Sequence, residues 1–143
     1  MKALLNDYVT QQVESADPAR LVELLFQRAV RDLQSAREAW ATGPQSPETI
    51  RLVVHAQSIL NELSRCLNVA EGGVLARDLA RLYEYMQFRL LEGVQSASGE
   101  GVHSISEVLE LLSSLSDAWS EMARQQEAIL PEGALADGKA LVA

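Results

Sequence analysis

Apolar residues recur along this chain at alternating spacings of four and three. In the first run Val22, Phe26, Ala29, Leu33, Ala36 and Trp40 trace one stripe, widened at its start by Leu21, Leu24 and Leu25. That period fits the 3.6-residue turn of an amphipathic α-helix with one face turned to a core. Asp17-Pro18 precedes the run as a start signal. Asp is a favoured N-cap, and proline suits the first helical position because its missing N–H would find no helical acceptor there. Gly43-Pro44 closes the run, and Ser46-Pro47 repeats the start signal. In the second run Leu52, Ala56, Ile59, Leu63 and Cys66 form a stripe flanked by Ile50, Val53, Leu60 and Leu67. Gly72-Gly73 is the expected stop of that helix, since glycine accepts the left-handed conformation that ends many helices.

The third run carries Leu75, Leu79, Leu82, Met86 and Leu90, with Tyr83 and Val94 adjacent, up to a break at Ser98-Gly99-Glu100-Gly101. The fourth runs through Val102, Ile105, Val108, Leu112, Leu115, Trp119 and Met122; capping-box spacing of Ser104 and Glu107 allows a slightly later start. Long helices joined by short connections predict an all-α, antiparallel four-helix bundle. Both ends differ. Residues 1–15 are mixed, with Leu4, Leu5, Tyr8 and Val13 as apolar points for a short docked segment or helix. From Ala128 to Ala143 the stripe is lost among Pro131, Gly133 and Gly138. The expected organisation is therefore a bundle domain over 1–127 and a loosely held, flexible tail over 128–143, in which Leu130, Leu135 and Leu141 have room to dock weakly.

Composition narrows the function. The 143 residues are 48% hydrophobic but only 5% aromatic, which suits helices and one sizeable core. A formal net charge of −8 argues against binding a nucleic-acid backbone or an anionic membrane surface, both of which require clustered cations. The single cysteine, Cys66, has no internal disulfide partner. No basic, apolar leader opens the chain and no apolar run approaches the roughly 20 residues needed to span a bilayer. The expected compartment is the cytoplasm.

Candidate chemistry is sparse. His55 is the place to look for a phosphotransfer histidine, but His55-Ala56-Gln57-Ser58 lacks the Lys and small residue that usually follow it, so a partly exposed helix-face role is expected. Glu100-Gly101-Val102-His103 has the Glu-x-x-His spacing of di-iron bundles, which require two such elements and two further glutamates. Cys66 lies on an apolar stripe, where a free cysteine behaves as a small hydrophobe. No phosphate loop, nucleophile elbow or zinc signature is present. The reading is a non-enzyme with no cofactor or metal, working by holding another protein.

Three stretches resemble the FliS family of flagellar export chaperones. The first is Tyr8, Val13-Glu14-Ser15-Ala16-Asp17-Pro18, Leu21 and Leu24-Leu25. The second is Ile59-Leu60-Asn61-Glu62-Leu63, Leu67-Asn68, Gly72-Gly73 and Leu79-Ala80-Arg81-Leu82-Tyr83-Glu84-Tyr85-Met86. The third is Val108, Leu111-Leu112, Leu115 and Asp117-Ala118-Trp119. The double glycine and the Leu-Tyr-x-Tyr-Met run are the most specific, and the three stretches stand in family order over residues 8–125. Phe26-Gln27-Arg28 departs from the Tyr-Asp-Gly that the family often carries there, and the tail after Gln126 falls outside the resemblance.

The resemblance implies a chaperone that binds the disordered C-terminal segment of flagellin, blocks premature polymerisation and helps present flagellin to the flagellar export gate. A monomer or weak homodimer is expected. Candidate client-binding residues are Tyr8, Val13, Leu21, Leu67 and Leu75, followed along the third helix by Leu79, Leu82, Tyr83, Met86 and Leu90. Tyr83 and Tyr85 are two apart and cannot share a helix face, so one is expected to point outward. Residues 1–13 are expected to occupy part of the client groove until flagellin displaces them. Two rivals stand beside this reading: the same fold serving another flagellar or regulatory partner, and a phosphorelay through His55.

Overall fold

The computed structural model describes residues 18–41, 43, 46–67, 69–96 and 99–129. They form four α-helices: α1 (Pro18–Trp40), α2 (Pro47–Cys66), α3 (Val69–Gln95) and α4 (Gly101–Ile129). The expected all-α four-helix bundle is the architecture observed. Helix α1 packs against α2 and α4, and α3 closes the ring by packing against the same two, so α1 and α3 lie on a diagonal. Helices α1 and α4 run antiparallel, as the indole N–H of Trp119 late in α4 donates to the carbonyl of Ala19 early in α1 at 3.2 Å.

The first stripe behaves as its spacing requires. Val22, Phe26, Ala29, Leu33, Ala36 and Trp40 are all buried, and Phe26 meets both Tyr83 and Trp119 in tilted ring contacts with centroids 6.5 Å and 6.0 Å away. From the other helices Leu52, Val53, Ala56, Ile59, Leu60 and Leu63, then Met86 and Leu90, then Ile105, Val108 and Leu112 complete the core. Truncating any of the fully buried large side chains to alanine removes both transfer energy and packing, about 2–5 kcal/mol each.

Helix α2 starts as Ser46-Pro47 predicts. The Ser46 hydroxyl caps the helix by accepting from the Thr49 backbone N–H at 3.2 Å, and Pro47 stands in the first turn. Its end differs from the expected glycine stop. Leu67 is already extended (φ −77°, ψ 132°) and its N–H returns to Ser64, so α2 finishes at Cys66. The glycine instead breaks the beginning of α3: Gly73 has φ 61° and ψ −136°, a conformation unfavourable for any residue with a Cβ. Helix α4 begins at Gly101, ahead of the Ser104–Glu107 capping spacing, and Ser104 is buried rather than capping.

A pair of glycines sets the approach of α3 to α4. A Cβ on Gly93 would lie 3.1 Å from the Gly101 carbonyl oxygen. A Cβ on Gly101 would lie 2.5 Å from the Gly93 carbonyl oxygen and 2.6 Å from the Trp40 ring. Backbone meets backbone here, with the Trp40 indole laid against the contact. The two α3–α4 partners are thereby pinned at the end of the bundle that holds the C-terminus of α3.

Candidate protein-binding surface

Helix α3 is the most lightly covered of the four. Five of the eight large hydrophobic residues left exposed among the described residues belong to it: Val74, Leu75, Tyr85, Phe88 and Leu91. The others are Ile50, Val54 and Met122, on the helices that flank it. Scattered apolar side chains are ordinary on a surface, whereas a helix that leaves them along both flanks offers a docking face.

One flank is the α2–α3 seam. The Gln87 side chain donates to Asn61 Oδ1 at 3.0 Å, and the Gln57 side chain donates to the Gln87 carbonyl at 3.5 Å. That antiparallel register carries Val54 to the level of Leu91, with Ile50 one turn beyond and Phe88 beside Leu91 on the outer face of α3. Polar amides bridge the seam at Gln57, Asn61 and Gln87, and apolar side chains line it toward the N-terminus of α2.

The other flank is the α3–α4 seam. Leu75, Leu79, Leu82, Met86 and Gly93 repeat at helical spacing on one stripe of α3. Opposite them Val108, Leu111, Leu115 and Met122 repeat on α4. Gly93 against Gly101 and Glu107 between Tyr85 and Arg89 fix the register. It sets Leu82 level with Leu111 and Leu79 with Leu115, all four partly buried against the core. At the far end Leu75 is 68% exposed and Met122 38% exposed.

The Glu107 carboxylate ties the outer edge of this seam. It accepts from the Tyr85 hydroxyl and from Arg89 Nε, each at 2.8 Å, while Arg89 also bonds Glu92 at 3.0 Å. These donors hold the Glu107 carboxyl below its ordinary range, with Arg89 the larger cause. Donation to a carboxylate in turn pushes the Tyr85 phenol above its ordinary value. The network orients Tyr85 outward, while Tyr83 is buried at 2% exposure and its phenol is driven up by that burial. The expectation that one of the two tyrosines faces outward is met by Tyr85.

The ten sequence-derived candidates fall into three groups. Tyr8 and Val13 lie outside the described residues. Leu21, Leu67, Leu79 and Leu82 are half-buried and Leu75 is exposed, so part of each side chain is open to a partner. Tyr83, Met86 and Leu90 are core residues that shape α3 from within. Phe88, Leu91 and Val54 escaped the sequence reading, and Ile50 stands there beside the second stripe rather than among the binding candidates. Phe88 and Leu91 sit off the apolar stripe among Glu84, Arg89 and Glu92, and only their lack of cover in three dimensions singles them out.

His55 is partly exposed on its helix, as expected, and it also has an interhelical partner. Its ring nitrogen Nδ1 pairs with the carboxylate of Asp32 on α1, whose other oxygen lies 3.5 Å from Arg28 Nε. Asp32 is buried at 3% exposure, so this contact is an interhelical tie between α1 and α2. The Cys66 thiol is half-buried and pushed above its ordinary range by burial, the behaviour of a packing residue. No described helix is long and apolar enough to cross a membrane.

Comparison with known proteins fits a partner-holding surface on this bundle. Residues 1–126 match the family model described as flagellar protein FliS. The flagellar secretion chaperone FliSB of Pseudomonas aeruginosa is 36% identical over 119 residues, covering 83% of this chain and 91% of that protein. The flagellar secretion chaperone FliS of Salmonella typhimurium is 34% identical over 122 residues, 85% of this chain and 88% of that protein. The FliS of Vibrio cholerae is 25% identical over 114 residues. With a helical bundle throughout, an uncovered third helix and a match spanning nearly the whole bundle, this chain belongs to the FliS family of flagellar secretion chaperones.

Proposed function

We propose that this protein binds the C-terminal segment of flagellin in the cytoplasm, keeps it from polymerising and hands it to the flagellar export apparatus. The family supports a flagellar secretion client, and the observation that carries the finer reading is the distribution of exposed apolar side chains along α3. A disordered segment that folds on binding typically buries about 1,000–3,000 Å² and spends about 2–5 kcal/mol on ordering. Such a client requires extended apolar contact rather than one deep pocket. The α2–α3 seam at Val54 and Leu91 and the α3–α4 seam at Leu75 and Leu79 offer that length. An amphipathic client helix laid along either seam would follow the helix-in-groove mode, with anchors every three or four residues.

Calorimetric titration with a flagellin C-terminal peptide tests the reading. Saturable 1:1 binding is expected, with Leu91→Asp or Leu75→Asp weakening it at least about tenfold, the loss of one anchor near 1.4 kcal/mol. Full-length flagellin is expected to bind and flagellin lacking its C-terminal segment is not. Equal capture of both would favour another client site, and no heat at several temperatures would defeat the proposal.

A further inference from the structure

The apolar part of the α3–α4 seam stops at a charged clasp. From the exposed end at Leu75 and Met122, the facing side chains run through Leu79 and Leu115 to Leu82 and Leu111. Next come Tyr85 and Arg89 on α3 and Glu107 on α4, joined by hydrogen bonds to the Glu107 carboxylate. Past the clasp the same faces continue as Glu92, Ser96, Glu100 and His103, with the Gly93–Gly101 backbone contact among them. At 1.5 Å per residue, Leu75 to Tyr85 spans about 15 Å, close to three turns of helix. An apolar client helix laid on this seam therefore reaches Glu107 with one of its ends.

The clasp leaves part of Glu107 unused. Tyr85 and Arg89 both donate to Oε1, each at 2.8 Å, and among the described residues Oε2 receives no hydrogen bond. Arg89 also serves Glu92, so one guanidinium is shared between two carboxylates and the group stays negative. The other acid on this face, Asp78, stands between Arg77 and Arg81 along α3, and their charges offset it. An open carboxylate oxygen at the end of an apolar track suits one kind of ligand terminus. The first turn of a helix presents N–H groups without intrahelical acceptors, together with the positive end of the helix dipole, and a carboxylate satisfies both.

We infer that Glu107 caps the N-terminus of the client helix through Oε2, and so fixes both its register and its direction on the seam. The inference rests on the proposed flagellin client and names the residue that orients it. The bound helix then runs from Glu107 toward Leu75 and Met122, parallel to α4 and antiparallel to α3. Laid the other way, a client would bring its carbonyl end, the negative end of its dipole, against the carboxylate.

Calorimetry and NMR on the full-length protein with a flagellin C-terminal peptide test it. Glu107→Gln keeps the shape and an acceptor for Tyr85 but removes the charge. It is expected to weaken binding at least about fivefold, with a smaller loss in high salt. Tyr85→Phe breaks one bond to Oε1 and leaves Oε2 untouched, and Glu110→Gln removes a charge elsewhere on α4. Both are expected to stay within about twofold, and melting by circular dichroism checks that all three variants fold. Unchanged affinity in Glu107→Gln, or an equal loss in either control, overturns the capping contact. Direction is read by moving a nitroxide along the peptide and following the backbone amide signals of Glu107 and Met122. Label positions that broaden Glu107 are expected to precede, in the peptide sequence, those that broaden Met122. The reverse order, or broadening of neither amide, overturns the inference and leaves the client reading standing. A peptide that fails to bind the unaltered protein defeats both.

Discussion

Gly101→Ala places one methyl group where the bundle has no room for it. The added Cβ would stand 2.5 Å from the Gly93 carbonyl oxygen and 2.6 Å from Trp40 Cη2, whereas ordinary contact begins near 3.4 Å. The nearer atom belongs to the backbone of another helix, so no side-chain rotation relieves it. Helices α3 and α4 must separate by about 1 Å, or α4 must start later and surrender its first turn. Overpacking of this kind typically costs about 1–3 kcal/mol, and a backbone-limited case belongs in the upper half of that range.

For a domain of this size about 2 kcal/mol corresponds to a fall in Tm of roughly 6–10 °C. Thermal melting followed by circular dichroism reads it directly. Gly99→Ala is the matched control, since a Cβ there meets nothing within 4 Å and its φ is not in the left-handed region. It is expected to shift stability by less than about 0.5 kcal/mol. Trp40→Leu removes the ring but leaves the carbonyl, so the double variant Trp40→Leu/Gly101→Ala should recover only part of the Gly101→Ala loss. A Gly101→Ala protein melting within 1 °C or so of the parent would refute the close approach as the device that closes this seam.

Three further outcomes follow from the contacts. Replacing His55 by alanine leaves the buried Asp32 carboxylate without its partner on α2, with Arg28 beside it and the Arg51 charge nearby; a loss of about 1–3 kcal/mol is expected, and a double-mutant cycle with Asp32→Ala should show clear coupling. Additive losses would contradict the interhelical tie. The Glu107 carboxyl should titrate below its ordinary value of 4.5 by NMR, and the Tyr85 phenol above 10, with Glu107→Gln drawing Tyr85 back down. By linkage, the depressed Glu107 contributes stability at neutral pH that is lost as pH falls through its folded value. The raised Tyr85 contributes below its ordinary value, and that is lost as pH rises through its folded one. Finally, Cys66 should react slowly with a thiol reagent in the native protein and quickly after denaturation, because burial disfavours its thiolate. Equal rates in both states would place the thiol in solvent.

What the chain by itself determined was periodic and local. The spacing of Val22, Phe26, Ala29, Leu33, Ala36 and Trp40 specifies a helix face wherever the helix sits, and all six are core residues. Ser46-Pro47 starts α2 because a cap acts on N–H groups only three residues away. The FliS resemblance, carried by the double glycine and the Leu82-Tyr83-Glu84-Tyr85-Met86 run, was legible for the same reason: it is written in order along the chain.

Tertiary structure decided what depends on which faces meet. Gly72-Gly73 has the composition of a helix stop, yet α2 ends at Cys66 and Gly73 kinks the start of α3 instead, because packing sets where the next helix must begin. His55 and Asp32 are 23 positions apart and form one interhelical contact. The binding surface shows the division most clearly. Leu75 and Met86 share a stripe and an apolar character, but one is exposed and the other fully buried. Periodicity assigns a side chain to a face of its helix; only the neighbouring helices, drawn together at Gly93 and Gly101 and leaving the opposite end uncovered, determine whether that face is core or surface.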